Sequence, residues 1–340
     1  PVSYGSYSPR NSDGAFRGLI TLRQAITSSV NVVAVKVLHD IVGIDNAIRF
    51  ASGLGINLDP NVHGLSMALG GLHEGVSPLQ MAAAYNAFAN QGVYIEPTAI
   101  LRVEKADGVI LEQYAPKQRT AMKATTAYLI TDMLTSVIQS GTGTNAQIGR
   151  PAAGKTGTTD DGKDIWFVGY TPELTAAVWI GYDTPTAMPQ AYGGMYPAGI
   201  WRSIMSKARS GLPVHNFTRP DGVVYAKVDS KSGLLPGPNT PADSLVTDIF
   251  AEGTVPTGQD NVHVFVEVCA ESGQLPTQFC PDRIIKPMIK LPYQVPAFVA
   301  DYALRAPTTA CTLHTQYTPG KIGTPVNPAI PTTEPVNNSQ

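Results

Sequence analysis

The chain has 340 residues, of which 43% are hydrophobic and only 15% charged, and its 24 basic and 26 acidic side chains leave a formal charge of −2 and a pI near 6.3. At roughly 150 residues per domain the length suggests two domains, and the 32 glycines and 28 prolines mark a loop-rich chain with apolar residues enough for a sizeable core. No basic run or aromatic-interleaved basic patch is present, which argues against a nucleic-acid partner, and the longest apolar stretches, such as residues 30–37 with their Asn31 and Lys36, fall well short of the ~18 residues that cross a bilayer.

Pro1 is no initiator and no charged-then-apolar segment opens the chain, so it reads as an internal or processed piece of a longer protein with any export signal or anchor upstream. Residues 1–18 are polar and turn-rich. Thr21-Leu22-Arg23-Gln24 then supplies a Thr-x-x-Gln capping box with Leu22, Ala25 and Ile26 behind it, which starts a helix. The short side chains of Ser28, Ser29 and Asn31 compete for backbone hydrogen bonds, so a break is expected there before an apolar helix over 32–42, stopped by Gly43. Ser29 and Asn31 would sit at a helix junction. Further helices are expected over 45–52, from Ser77-Pro78-Leu79-Gln80 up to Gly92, and over 125–139, while Asp107-Gly108 between apolar runs signals a hairpin.

The period then changes to two. Strands over 152–159, 164–170 and 174–182 are joined by connections too short for crossover helices, so they must be antiparallel. Runs such as Trp166-Phe167-Val168 are apolar on both faces, and the helices before them, with another over 200–208, can cover both. Residues 1–211 therefore read as an α/β sandwich of α+β type, helices enclosing an antiparallel sheet. From 212 to 320 the composition shifts to Pro, Gly, Asp and Ser with short β-like pieces at 222–228 and 262–268 and one possible helix over 242–250; this is expected to be a small, mostly β appendage, followed by a disordered tail over 321–340. No internal repeat is visible.

All three cysteines, Cys269, Cys280 and Cys311, fall in the last quarter, and none has Cys-x-x-Cys spacing. An oxidising compartment would let Cys269 and Cys280 close a short loop, leaving Cys311 over; three buried reduced thiols fit as well. Cys311-Thr-Leu-His314 has ligand-like spacing, so a Cys3His zinc site is a further alternative. The sequence assigns no metal and no cofactor.

The segment with the most chemistry is Gly154-Lys155-Thr156-Gly157-Thr158-Thr159 on the first strand of the sheet. A lysine and threonines beside a glycine make a polar, cationic groove in which Gly157 admits a substrate backbone and Thr156 and Thr158 can hydrogen-bond an anion, which suits a carboxylate-ended peptide. Gly149-x-x-x-x-Gly154-Lys155-Thr156 also matches a phosphate-loop pattern, but that loop needs a helix directly after it, and Thr158, Thr159 and Asp160-Asp161-Gly162 start one poorly. Ser29 and Asn31 taken alone are ordinary helix-capping residues. His39, His63 and His73 form no catalytic arrangement and read as structural, and Trp166, Trp179 and Trp201 read as core.

Together, Ser29-Val30-Asn31 and Lys155-Thr156-Gly157 supply two of the three motifs of penicillin-binding proteins and class A β-lactamases, in order and each in its required setting. With residues 22–37, Leu69-Gly70-Gly71, Gly75-Val76-Ser77-Pro78, Ser140-Gly141-Thr142-Gly143-Thr144, and the strands 164–170 and 178–183, the chain closely resembles the transpeptidase domain of bifunctional, class A penicillin-binding proteins over residues 8–210. The cysteines and His314 look like a C-terminal extension seen in some members. The resemblance implies a penicillin-binding transpeptidase-like fold and acyl transfer at a D-alanyl-D-alanine stem peptide of peptidoglycan, with β-lactams as inhibitors. It also implies a glycosyltransferase domain in the native protein and anchorage at the extracytoplasmic face of the bacterial plasma membrane. By motif position, Ser29 would relay protons to the leaving amine and Asn31 would hold the substrate amide and the lysine of the missing Ser-x-x-Lys. Lys155 would supply positive potential, Thr156 and Thr158 would bind the substrate carboxylate beside Gly157 and Thr159, and the Thr158 N–H would be half of an oxyanion hole.

One departure stands out. No lysine has serine three residues before it; the nearest imitations are Thr120-Ala-Met-Lys123 and Thr318-Pro-Gly-Lys321. The family's nucleophile, from Ser-x-x-Lys, is expected on an upstream fragment of a cleaved enzyme, since a domain without its central helix would expose a large apolar surface; the other reading is an inactive truncation. A non-catalytic penicillin- or wall-binding module and a serine β-lactamase are the alternative functions.

Overall fold

The capping box forms as its pattern dictates: in a computed structural model of the chain, Gln24 N–H donates to Thr21 Oγ1 at 3.1 Å and Thr21 N–H to Gln24 Oε1 at 2.9 Å. This starts α1 (Leu22–Thr27), which is followed after the expected break by α2 (Asn31–Lys36). The structure describes residues 1–61, 64–291 and 293–316, so His63, Lys321 and the expected tail lie outside the described residues. The helix expected over 32–42 is not uniform: beyond Lys36 it widens into a π-helical stretch, Val37–Val42, closed by Gly43 N–H on Leu38 O. Four β-branched valines between positions 32 and 37 lower the helical propensity there.

Helix α3 (Ile44–Gly53) precedes α4 (Pro78–Ala89), which begins with a second capping box, Ser77 with Gln80, and a proline in its first turn. Four short strands come next, β1 (Val93–Ile95), β2 (Arg102–Glu104), β3 (Ile110–Gln113) and β4 (Gln118–Thr120). β2 and β3 form the hairpin signalled by Asp107-Gly108, with Gly108 at φ +86°, and β1 pairs with β4. Helix α5 (Ala124–Ser140) leads to the main sheet, β5 (Ala153–Thr158), β6 (Asp164–Tyr170) and β7 (Thr175–Gly181), antiparallel throughout in the order β5-β6-β7.

Both faces of that sheet are covered, as its apolar strands require. On one, Tyr170 and Ala153 pack with Leu134 and Val137 of α5 and with Tyr85 and Phe88 of α4. On the other, Phe167 packs with Ala198, Trp201 and Met205 of α6 (Tyr196–Ala208), all buried. Gly169 makes room for this layer: a Cβ there would lie 3.0 Å from the Trp201 indole, whose N–H donates to Gly169 O.

The chain divides into two compact units: Pro1–Ala15, Ile20–Ala226 and Asp248–Val255 form the first, and Phe16–Leu19, Lys227–Thr247 and the chain from Pro256 onward the second. The composition change at 211/212 therefore precedes the division. In place of a helix over 242–250 there is one 3-10 turn, Ala242–Ser244, and then strand β9 (Leu245–Ala251), which pairs with β8 (Val223–Asp229); Val246, Thr247 and Ile249 favour the strand once a partner edge is present. β10 (His263–Cys269) pairs with β11 (Arg283–Ile289).

The second unit does contain a repeat, contrary to the sequence reading. Val-Asp229-x-x-Ser232-Gly233-x-Leu235-Pro236 recurs as Val-Cys269-x-x-Ser272-Gly273-x-Leu275-Pro276, with Gly233 at φ +70° and Gly273 at φ +69°. Asp229 N–H donates to Leu234 O and Cys269 N–H to Gln274 O, both at 2.9 Å; Leu235 bridges Gln259 as Leu275 bridges Ala310; and Asp260 N–H meets Leu235 O as Cys311 N–H meets Leu275 O. The repeat is hidden because aspartates in one copy align with cysteines in the other.

Candidate active site

The site lies in the first unit, where Lys155 on β5 meets the α1–α2 junction. Ser29 occupies that junction at φ +52°, a left-handed conformation uncommon for a residue with a Cβ. Its neighbours force it: Ser29 N–H donates to Ile26 O at 3.2 Å and Val30 N–H to Ala25 O at 2.8 Å, a turn that ends α1 and re-aims the chain. Asn31 Nδ2 donates to Arg10 O at 3.0 Å, and the buried Asn11 receives Val32 N–H on Oδ1 at 3.1 Å while its Nδ2 donates to Ala15 O at 2.6 Å.

Two contacts hold the junction toward the sheet. Arg23 of α1 donates to Asp132 O and Ser136 Oγ of α5, each at 3.1 Å, and pairs with the Asp132 carboxylate at 2.5 Å and with Asp248. At the other end of α5, a Cβ on Gly141 would lie 2.4 Å from Thr27 O, so only glycine lets α1 come this close. Because α5 also packs on β5 through Val137 and Ala153, Ser29 arrives beside the strand.

There Lys155 Nζ donates to Ser29 Oγ at 2.7 Å and to Thr156 O at 2.9 Å. Burial pushes the Lys155 pKa down to about 8, and no carboxylate forms an ion pair with it among the described residues. At neutral pH it is mostly a cation held in a low-dielectric groove, a focused positive potential for an incoming anion. Thr156 Oγ1 shares a hydrogen bond of 2.7 Å with Thr142 Oγ1 of the Ser-Gly-Thr-Gly-Thr segment. Thr158 Oγ1 accepts Gly193 N–H at 3.0 Å, which leaves its own proton to donate. A Cβ on Gly193 would lie 2.5 Å from Gly157 O, so this loop lies directly against β5.

The structure thus brings Ser29 and Lys155 into contact and sets Thr156, Gly157 and Thr158 along the same strand. Thr159 is engaged otherwise: its hydroxyl donates to Asp164 O at 3.3 Å and accepts Asp164 N–H at 2.8 Å, closing the β5–β6 turn. The strand continues to Thr158 and a single 3-10 turn, Asp160–Gly162, leads into β6, so no α-helix follows Gly154-Lys155-Thr156 and the phosphate-loop geometry is absent. Asn11 and Gly193 were missed in the sequence reading, and no local pattern marks them. Thr142 lay within a quoted segment without an assigned role.

The family model described as the penicillin binding protein transpeptidase domain matches residues 2–206, and that of the penicillin-binding protein 1A C-terminal domain matches residues 219–265. Among curated proteins, the chain is 35% identical over 293 residues to penicillin-binding protein 1A of Clostridium botulinum, covering 84% of this chain and 35% of that protein. It is 38% identical over 278 residues to penicillin-binding protein 1A/1B of Bacillus subtilis, covering 75% and 30%. The chain spans about a third of the length of these relatives. Among solved structures, penicillin-binding protein 1A of Haemophilus influenzae superposes with a TM-score of 0.68 at 24% identity, over 76% of this chain and 44% of that one. PonA1 of Mycobacterium tuberculosis in complex with penicillin V gives 0.55 at 24% identity, over 65% and 64%. These two likenesses concern the fold.

Proposed function

We propose that this chain, which belongs to the penicillin-binding protein transpeptidase domain family, forms most of the catalytic unit of a serine-type peptidoglycan DD-transpeptidase. The observation that carries the reading is the 2.7 Å hydrogen bond from Lys155 Nζ to Ser29 Oγ, which unites two motifs 126 residues apart. The nucleophile is a serine of a Ser-x-x-Lys segment outside this sequence. Its Oγ attacks the carbonyl of the penultimate D-Ala of a stem peptide; the terminal D-Ala leaves as a free amine and the acyl group stays on the serine as an ester. An amine of a neighbouring stem then attacks the ester, forming the cross-link and returning the proton to the serine.

This chain's own residues serve both half-reactions. Ser29, polarised by the Lys155 ammonium, passes the proton to the leaving amine and later takes one from the attacking amine. Asn31, its amide fixed on Arg10 O, presents its carbonyl oxygen to the substrate amide. Lys155 and the Thr156 and Thr158 hydroxyls bind the terminal carboxylate, Gly157 lets the peptide backbone approach β5, and the Thr158 N–H supports the developing oxyanion. Thr159 fixes the end of the strand through its turn. β-Lactams acylate the same serine, a glycosyltransferase domain lies elsewhere in the whole protein, and the unit acts on the extracytoplasmic face of the plasma membrane, held by an anchor outside this sequence.

Labelling of the whole protein, or of this chain held with its Ser-x-x-Lys fragment, with a reporter penicillin is the test. A long-lived covalent adduct is expected. No adduct would make the protein a non-catalytic binding module, and an adduct that hydrolyses within seconds would make it a β-lactamase.

A further inference from the structure

The two copies of the repeat in the second unit place four side chains at matching positions. In the first copy these are Asp229, Thr240, Asp260 and His263; in the second they are Cys269, Cys280, Cys311 and His314. The first set is joined by its own protons: Thr240 Oγ1 donates to Asp260 Oδ2 at 2.7 Å, and His263 Nδ1 lies 2.8 Å from the same oxygen. The second set is held only by weaker contacts, because thiols are weak donors and weak acceptors. Yet all three cysteines are buried, and their sulfurs and a His314 nitrogen lie within 4.8 Å of one another.

We propose that Cys269, Cys280, Cys311 and His314 bind a structural zinc ion as a tetrahedral Cys3His site. Three independent features support this.

The first is size. Zinc at about 2.3 Å from each thiolate sets its ligands roughly 3.8 Å apart, so this cluster need contract by only about an ångström around the ion.

The second is the placement of backbone donors. In the first copy the N–H groups of Lys231 and Ser232 donate to the Asp229 carboxylate at 3.0 and 2.6 Å, and Val262 N–H donates to Asp260 at 2.9 Å. In the second copy the equivalent N–H groups, of Glu271, Ser272 and Leu313, point at the sulfurs of Cys269 and Cys311, and Thr277 N–H meets Cys280 Sγ at 3.3 Å. Backbone donors that meet carboxylate oxygens in one copy therefore face sulfur in the other, a setting that suits sulfur ligands of a cation.

The third is orientation. His314 turns Nδ1 toward the sulfurs, 3.4 Å from Cys311 and 3.5 Å from Cys269, while its Nε2 lies 3.0 Å from Glu271 Oε2. A carboxylate holding the far nitrogen of a ligating histidine fixes its tautomer and raises its basicity, a recurring support of zinc sites. Soft sulfur ligands from three buried cysteines, with a half-buried histidine beside them, favour zinc over a hard cation.

The site is independent of the transpeptidase reading and is tested separately. The whole protein, or this chain held with its Ser-x-x-Lys fragment, is purified without chelator, dialysed exhaustively and assayed for zinc by mass spectrometry and for free thiols. Stoichiometric zinc is expected, with exchange by cobalt giving the visible bands of a tetrahedral ion and the near-ultraviolet band of thiolate ligation. His314→Gln should weaken metal retention at least tenfold in a chelator competition, and Cys311→Ser should remove one thiolate's share of the charge-transfer intensity. Metal-free protein with a mapped disulfide, reduced protein that takes up no cobalt, or zinc indifferent to both substitutions would each overturn the proposal. Because the cobalt spectrum is read on the unaltered chain, a variant that fails to fold does not decide the matter.

Discussion

Two polar clusters, one buried and one half-buried, are completed in opposite ways. Around Asp229 and Asp260 in the second unit, nearly every acceptor meets a donor from its own loop: Lys231 and Ser232 N–H on Asp229, and Val262 N–H, Thr240 and His263 on Asp260. Asp229 Oδ1 alone has no hydrogen bond, and it faces His263 Nδ1 at 3.6 Å. Around Lys155 in the first unit, the ammonium has only neutral oxygens, Ser29 Oγ and Thr156 O, and its pKa falls to about 8. A cluster that closes on itself holds a loop in place. One that buries a charge without its counter-charge is arranged for a ligand that brings it.

The largest effect expected from breaking this contrast is at Lys155. In the whole protein, Lys155→Ala should lower the rate of β-lactam acylation by roughly 10²–10³, the scale of losing a transition-state electrostatic partner, while thermal stability stays level or rises because a partly desolvated cation has been removed. Normal acylation by this variant would remove Lys155 from the mechanism. Asp229→Ala should do the reverse. It leaves two N–H groups without their acceptor, so the second unit should lose about 1–3 kcal/mol, seen as an earlier thermal transition, with acylation unchanged.

A pH titration sharpens the comparison further. Lys155 sheds its proton near pH 8 when folded but near 10.5 when unfolded, so between these values the unfolded chain binds more protons and stability rises with pH. Relative to Lys155→Met, the unaltered chain should gain on the order of 2 kcal/mol between pH 8 and 10. Above that the half-buried Tyr85, pushed up to about 12 by desolvation, works the other way, because its unfolded counterpart ionises first. A stability difference flat across pH 8–10 would show that the Lys155 cation is not desolvated in the fold. Acylation, which needs that cation, should decline over the same range.

Much of the first unit was legible because its signals are local. The capping boxes at Thr21 and Ser77 and the Asp107-Gly108 turn are satisfied by neighbouring backbone, and strands apolar on both faces demand helices on both sides. The Ser29–Lys155 pair was legible only through motif likeness, since its contact depends on α5 carrying α1 to β5. Asn11, which shapes the α1–α2 junction, and Gly193, which lies against Gly157, have no local signature at all. The strand at Leu245–Ala251 was misread as a possible helix because a short apolar run does not reveal whether a partner edge will be present.

The repeat shows where the two kinds of information divide. Ser-Gly-x-Leu-Pro determined the turn in both copies from sequence alone, because only glycine adopts the left-handed conformation at Gly233 and Gly273 without strain. Sequence also determined which residue types were available: a lysine and threonines on one strand, three cysteines and a histidine near the end. Only the tertiary structure decided which of them meet. Ser29 reaches Lys155, and Cys311 reaches Cys269, through hydrogen bonds and packing between segments far apart in the chain, and contacts of that kind are set by the folded backbone rather than by any local run of residues.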